Sequence, residues 1–69
     1  MPFVNIKVTR EQELITPAQK AALIAGVTNL LVEVINRGPS TTVVVIDEVE
    51  MDNYGVGGES ITERRAKKL

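Results

Sequence analysis

The sequence predicts an α+β fold in which a βαβ unit with parallel strands is followed by a short C-terminal hairpin. Three observations support it: an alternating strand pattern at the N-terminus, one long amphipathic helix, and a β-branched run directly after that helix. The 69 residues suffice for a single domain spanning residues 1–69. A chain this short buries only about 60% of its unfolded surface. We therefore expect it to assemble into a homo-oligomer.

The first predicted strand covers residues 3–9. Val4, Ile6 and Val8 alternate with aromatic or polar residues, which is the period of a strand with one buried face. A charged connector follows over residues 10–15.

The helix is predicted to begin at Pro17. Thr16 is a favourable N-cap, proline suits the first helical position, and Gln19 can complete a capping box. Apolar residues then recur on one broad face, at Leu23, Ile24, Val27, Leu30, Leu31, Val34 and Ile35. The helix is predicted to end in Asn36-Arg37-Gly38-Pro39, with a basic residue in the last turn and Gly38 in the left-handed position beyond it.

The second predicted strand covers Thr42–Ile46. Its β-branched residues are apolar on both faces, as in a strand of a parallel βαβ unit that is covered on each side. One helix can cover only one face, so the other face needs a surface from another chain. This is a second reason to expect assembly.

The last third predicts a turn and a short irregular hairpin around Tyr54, because Glu50–Gly58 is too rich in glycine for a helix. We expect the following segment, residues 61–69, to be a polar tail. Its basic residues are expected to be solvated: Arg64, Arg65, Lys67 and Lys68.

Composition narrows the classes of function. Eight basic and nine acidic residues give a net charge of −1, and Phe3 and Tyr54 are the only aromatic residues, so nucleic-acid binding is not expected. Continuous apolar stretches such as Val43–Ile46 are far shorter than the ~20 residues of a membrane span. No basic and apolar signal segment stands at the N-terminus, so we expect a cytoplasmic protein without a membrane partner.

Acid–base chemistry has few candidates in this chain. There is no histidine and no cysteine, which excludes imidazole triads and the usual zinc sites, and we expect neither a metal nor a cofactor. If Met1 is removed, Pro2 becomes a secondary amine whose pKa, near 8 for a free α-amino group, falls towards neutrality on partial burial. Such an amine suits proton transfer. The alternative is an ordinary proline at the start of a strand.

Two other clusters have structural alternatives. Gly55-Val56-Gly57-Gly58 has the composition of a phosphate-binding loop, but no helix is predicted after it, which favours a turn. A group of carboxylates could serve in acid–base or metal chemistry if they converge, and otherwise forms a solvated or inter-subunit edge. It comprises Asp47, Glu48, Glu50 and Asp52.

Arg10 follows the first strand. An arginine fork matches a substrate carboxylate, and the alternative is a surface arginine. The strand places Arg10 about 25–30 Å from Pro2, at ~3.3 Å per residue, so the two are expected to meet only between neighbouring subunits.

Together, the Met-Pro start, the βαβ pattern and the DNYGVGGES stretch resemble the 4-oxalocrotonate tautomerase family over nearly the whole chain. The resemblance implies that Pro2 is the catalytic general acid and base of a keto–enol tautomerase. It also implies that Tyr54 lines an apolar substrate pocket, that Arg10 corresponds to the family's loop arginine, and that the chain forms a hexamer, a trimer of dimers.

The chain departs from the family at the second strand. The arginine that holds a second substrate carboxylate in the best-known members has no counterpart here, where Val43 and Val44 stand. We therefore expect a smaller or monocarboxylate 2-oxo or 2-hydroxydienoic acid as substrate. The alternative function is a non-catalytic or vestigial oligomeric member of the same fold.

Overall fold

The protein has the predicted α+β fold, seen in a computed structural model that describes residues 1–67. The elements in chain order are β1 (Phe3–Thr9), α1 (Pro17–Ile35), β2 (Val43–Val49), a 3-10 turn (Met51–Asn53), β3 (Gly55–Val56), β4 (Glu59–Ser60) and α2 (Ile61–Ala66). β1 and β2 form a parallel two-stranded sheet, and β3 pairs with β4 as an antiparallel hairpin.

The start of α1 is held by the capping box that the sequence predicts. The backbone N–H of Gln19 donates to Thr16 Oγ1 at 3.1 Å, and the Gln19 side-chain oxygen accepts from the Thr16 backbone N–H at 2.9 Å. Pro17 is the first helical residue. The predicted start is therefore confirmed.

The end of α1 differs from the prediction. Asn36, with φ 52°, is the left-handed cap, and its N–H donates to the carbonyl of Val32 at 2.9 Å. Asparagine tolerates this conformation because its side chain is short and polar. Gly38 lies two residues beyond the cap with φ 70°, and the last turn contains no basic residue.

β2 runs three residues further than predicted, to Val49. Its last carbonyl accepts a hydrogen bond from the backbone N–H of Arg10 at 2.7 Å. Pairing with β1 thus extends β2 through Asp47 and Glu48, which are poor strand formers by intrinsic propensity. Thr42 is outside the strand, and its hydroxyl donates to the carbonyl of Gly38 at 2.6 Å.

The prediction of a polar tail is wrong for residues 61–66, which form α2. Ser60 and Glu63 make a second capping box, in which the Glu63 N–H donates to Ser60 Oγ at 3.1 Å and the Glu63 carboxylate accepts from the Ser60 N–H at 3.0 Å. A helix of six residues is too short to show an apolar period and is marginal in isolation. Lys68 lies outside the described residues.

Among residues 1–67 no side chain is fully buried. Large apolar side chains instead face outward from the single chain, and Phe3 is 67% and Val34 72% exposed. α1, with 19 residues and a mean hydropathy of 1.4, is long and apolar enough by length and composition to cross a membrane. The core helix of a soluble protein meets the same criterion.

The chain divides into two compact units. The first comprises residues 1–6 and 15–47, and the second comprises residues 7–14 and, within the described part of the chain, 48–67. α1 belongs to the first unit, whereas the hairpin and α2 belong to the second.

Candidate active site

Pro2 lies immediately before β1 in the first unit and is half-buried. Its carbonyl accepts a hydrogen bond from the backbone N–H of Val43 at 2.9 Å. Pro2, which would carry the amine, is thus held by a backbone hydrogen bond to the first residue of β2.

Gly38 packs against the ring of Pro2. A Cβ at this position would come within 2.8 Å of Pro2 Cδ and 2.9 Å of Pro2 Cγ, and would also collide with the Thr42 hydroxyl. The backbone of Gly38 has φ 70°, a conformation that side chains disfavour. Only glycine fits here without displacing the proline ring. The sequence predicts Gly38 only as part of the helix end and does not predict this contact. A Gly-Pro pair indicates where a helix ends, but not which distant residue the glycine contacts.

The chemistry of Pro2 depends on Met1. With Met1 attached, the proline nitrogen is a tertiary amide without useful basicity, and removal of Met1 converts it into a secondary amine. Met1 is 93% exposed, so the residue whose removal would free the Pro2 amine is accessible to solvent.

Arg10 follows β1 and belongs to the second unit. Its Nη1 lies 3.0 Å from Glu50 Oε1, and the two side chains are 50% and 61% exposed. The predicted anchor for a substrate carboxylate is therefore already engaged by a carboxylate of its own chain.

Tyr54 is half-buried and stands between the 3-10 turn and β3. Its N–H donates to the carbonyl of Met51 at 3.4 Å, and its carbonyl accepts from the N–H of Ile61 at 2.8 Å. The backbone of Tyr54 is thus held on both sides. Arg10 and Tyr54 belong to the second unit, and Pro2 belongs to the first.

The carboxylates around the end of β2 have separate partners. Glu50 pairs with Arg10, Asp52 accepts a hydrogen bond from the Thr62 hydroxyl, and Asp47 lies 3.5 Å from the side-chain amide of Asn5. Within residues 1–67, no group of three or more acidic, histidine or cysteine side chains is arranged to hold a metal ion.

The glycine-rich segment forms the turn of the hairpin. Gly57 and Gly58 have φ 61° and 89° between the paired residues Val56 and Glu59, and a two-residue turn of this kind needs positive φ at both positions. Contrary to expectation, a helix does follow. Its first turn holds the carboxylate of Glu63, which accepts from the Ser60 N–H and so disfavours a second anion there.

A cluster that sequence analysis missed joins the connector to α2. Arg65 makes two contacts with the Glu11 carboxylate, at 2.6 and 3.0 Å, and the Thr9 hydroxyl donates to the same carboxylate. The hydrogen bond from Arg65, followed by that from Thr9, lowers the pKa of Glu11 from 4.5 to about 2. We call Thr9, Glu11 and Arg65 the connector clasp.

Comparison with known proteins matches this architecture to one family. A family model described as "Tautomerase enzyme" matches residues 2–64. A Dickeya dadantii (strain 3937) protein named "Probable tautomerase K2" is 62% identical over 65 residues, which cover 94% of each chain. A Helicobacter pylori (strain J99) protein named "Probable tautomerase" is 51% identical over 67 residues, covering 97% of this chain and 98% of the other.

Solved structures agree. DmpI from Helicobacter pylori is 48% identical, with a TM-score of 0.86 over 96% of this chain and 98% of that one. TomN, a 4-oxalocrotonate tautomerase homologue in the tomaymycin biosynthetic pathway, is 26% identical, with a TM-score of 0.81 over 99% of this chain and 100% of that one. The resemblance predicted from the sequence is therefore confirmed, and the chain belongs to the tautomerase family of isomerase-type enzymes.

Proposed function

We propose that this tautomerase is cofactor-independent and interconverts the keto and enol forms of a small 2-oxo or 2-hydroxydienoic acid. The proposal takes Pro2, freed by removal of Met1, as the general acid and base. The single observation that carries it is the setting of Pro2, which is half-buried, accepts a hydrogen bond from the Val43 N–H through its carbonyl, and has Gly38 packed against its ring. Partial burial favours the neutral amine, which is the form that accepts a proton.

The reaction requires one proton acceptor that later becomes the donor. The neutral amine of Pro2 takes a proton from the enol oxygen, or from a carbon beside the carbonyl. The electrons shift along the conjugated system, and the ammonium then returns the proton at the other end. No net charge or atom is gained, so a single group is sufficient for both steps.

Arg10 and Tyr54 have supporting roles in this proposal. Arg10 binds the substrate carboxylate through its guanidinium, and Tyr54 provides a wall of the pocket. We propose that each site combines Pro2 of one subunit with Arg10 of a neighbour. The exposed apolar surface of the single chain supports assembly, because large apolar side chains such as those of Leu30 and Val34 are 55% and 72% exposed. A hexamer, a trimer of dimers, is the proposed form, acting as a single-domain cytoplasmic protein.

The valines at the start of β2 guide the choice of substrate. Val43 is 40% exposed and Val44 is half-buried, and neither can pair with a carboxylate. A monocarboxylate therefore suits the proposed site better than a dicarboxylate.

Variants at the N-terminus test the role of Pro2. Intact mass first establishes that Met1 is removed. Pro2→Ala keeps a primary amine and is expected to lower kcat by about 100-fold, the lower end of what a positioned base contributes. An extra residue before Pro2 should lower kcat further because it turns the amine into an amide.

Two further variants separate this proposal from its rivals. Glu48→Gln and Glu50→Gln should leave kcat within about threefold of the parent enzyme, since neither residue is the proposed base. If blocking the terminus leaves turnover unchanged while one of these variants abolishes it, the base is a carboxylate. If Met1 is retained and no 2-oxo acid is turned over, the chain is a non-catalytic member of the fold.

A further inference from the structure

The ion pair between Arg10 and Glu50 is built into the ends of the parallel sheet. Arg10 directly follows β1, and Glu50 directly follows β2. The Arg10 N–H donates to the carbonyl of Val49, the residue before Glu50, at 2.7 Å. The backbone therefore brings the two side chains together at the same end of neighbouring strands, where Nη1 and Oε1 are 3.0 Å apart.

This pair has the properties of an exchangeable contact. It is made through one nitrogen and one oxygen, so the remaining guanidinium donors are available to another acceptor. Both side chains are at least half exposed, and exposed pairs contribute little net free energy. Arg65 differs, since two of its nitrogens contact Glu11 and Thr9 also bonds that carboxylate.

We propose that Glu50 is a positioning and specificity-determining residue that competes with the substrate carboxylate for Arg10. The inference rests on the proposed role of Arg10 as anchor. In the empty site Glu50 holds the guanidinium, and a carboxylate substrate must displace it. When a neutral substrate binds, the ion pair between Glu50 and Arg10 remains, so Arg10 is not left as an unpaired charge in the pocket.

Glu50 therefore reduces the enzyme's preference for carboxylate substrates over their neutral analogues. Removing its charge makes Arg10 a stronger anchor for a carboxylate and leaves an unpaired guanidinium facing a neutral ligand. The expected effect is on KM, because the contact forms on binding and is not specific to the transition state.

The test compares Glu50→Gln with the parent enzyme on a 2-hydroxydienoic acid and on its methyl ester. Glu50→Gln should lower KM for the acid by about two- to fivefold, the range of an exposed ion pair. It should leave kcat within about threefold of the parent value and should not lower KM for the ester. Glu50→Ala is a second neutral variant with the same expectation, and Glu50→Asp, which keeps the charge, should retain a KM close to the parent value.

Two controls assign the effect to Arg10. Glu13→Gln removes the same charge from the connector and should leave KM unchanged, which excludes a general effect of net charge. In an Arg10→Ala background, Glu50→Gln should have no further effect on KM. Light scattering and circular dichroism confirm that each variant assembles and folds.

The outcomes separate this inference from the proposed function. If Glu50→Gln raises or does not change KM for the acid, or changes both substrates equally, the competition is refuted while Pro2 remains the base. If Arg10→Ala alone leaves KM for the acid unchanged, the anchor and the competition both fail. The N-terminal variants test the tautomerase mechanism independently of either result.

Discussion

The two compact units present different kinds of surface. In the first unit, many large apolar side chains are exposed: Phe3, Leu23, Ile24, Leu30, Val34, Ile35 and Val43. In the second unit, exposed or half-exposed side chains are joined by ion pairs, as in Arg10–Glu50, Glu11–Arg65 and Glu59–Lys67.

This difference indicates which solution conditions control the stability of each unit. Apolar burial requires a second surface, so the apolar face of the first unit contributes stability only on assembly and depends on protein concentration. Ion pairs within one chain do not need a partner subunit. They respond to salt and pH instead.

The largest expected effect comes from charging the apolar face. Leu30 is 55% exposed in the single chain, and burying a leucine contributes about 1.5–3 kcal/mol per site. Leu30→Glu removes this gain and adds the cost of desolvating a carboxylate, and both changes occur in every subunit of the oligomer. Light scattering at micromolar concentration should show loss of the oligomer.

Asn29→Glu is the matched control for Leu30→Glu. It adds the same charge at the adjacent helical position, outside the predicted apolar face, and should keep the parent mass. An unchanged oligomer with Leu30→Glu would contradict the assignment of this face to assembly.

The second largest effect is expected from alanine substitutions at two glycines with positive φ, Gly38 and Gly58. At Gly58, with φ 89°, a Cβ meets nothing within 4 Å, so Gly58→Ala should show only the backbone cost of about 1–2 kcal/mol. Gly38→Ala adds the collision with the Pro2 ring. It should therefore be more destabilising in urea denaturation, and it should lower kcat. Equal loss of stability with unchanged kcat in both variants would show that Gly38 does not position Pro2.

A smaller effect is expected at the N-cap of α1. Thr16→Ala removes the acceptor for the Gln19 N–H and should lower the free energy of unfolding by about 1 kcal/mol. The oligomeric mass should not change, since the cap acts within one helix. Thr28→Ala, which removes only the bond from the Thr28 hydroxyl to the Ile24 carbonyl, is the control and should stay within about 0.5 kcal/mol of the parent.

The smallest effect concerns the connector clasp, whose groups are exposed. The pKa of Glu11 is lowered from 4.5 to about 2, so the clasp contributes fully above pH 4.5. Its contribution is lost as the pH falls towards 2, because the carboxylate becomes protonated. The protection of the α2 amides against hydrogen exchange, measured relative to the intrinsic exchange rate at each pH, should fall across this window.

Glu11→Gln should abolish that pH dependence, whereas Arg64→Ala, at the neighbouring arginine, should preserve it. Protection of the α2 amides that falls equally with pH in Glu11→Gln would assign the titration to another group.

Local signals predicted the bounds of β1 and the start of α1. The alternation of Val4, Ile6 and Val8 and the capping residues Thr16 and Gln19 act within a few positions of the backbone they stabilise, so they are visible in the sequence. The Met-Pro start and the glycine-rich hairpin identified the family in the same way, because both are local and unusual.

The sequence by itself determined the α+β class, the main helix and the position of Pro2. The tertiary structure alone decided the length of β2, the contact of Gly38 with Pro2, and the pairing of Arg10 with Glu50. The physical reason is separation along the chain: Arg10 and Glu50 are 40 positions apart, and Glu11 and Arg65 are 54 apart. The first pair forms only after parallel pairing brings the ends of β1 and β2 together, and the second only after α2 packs near the connector. Exposed charges also leave no periodic pattern that would predict such pairs.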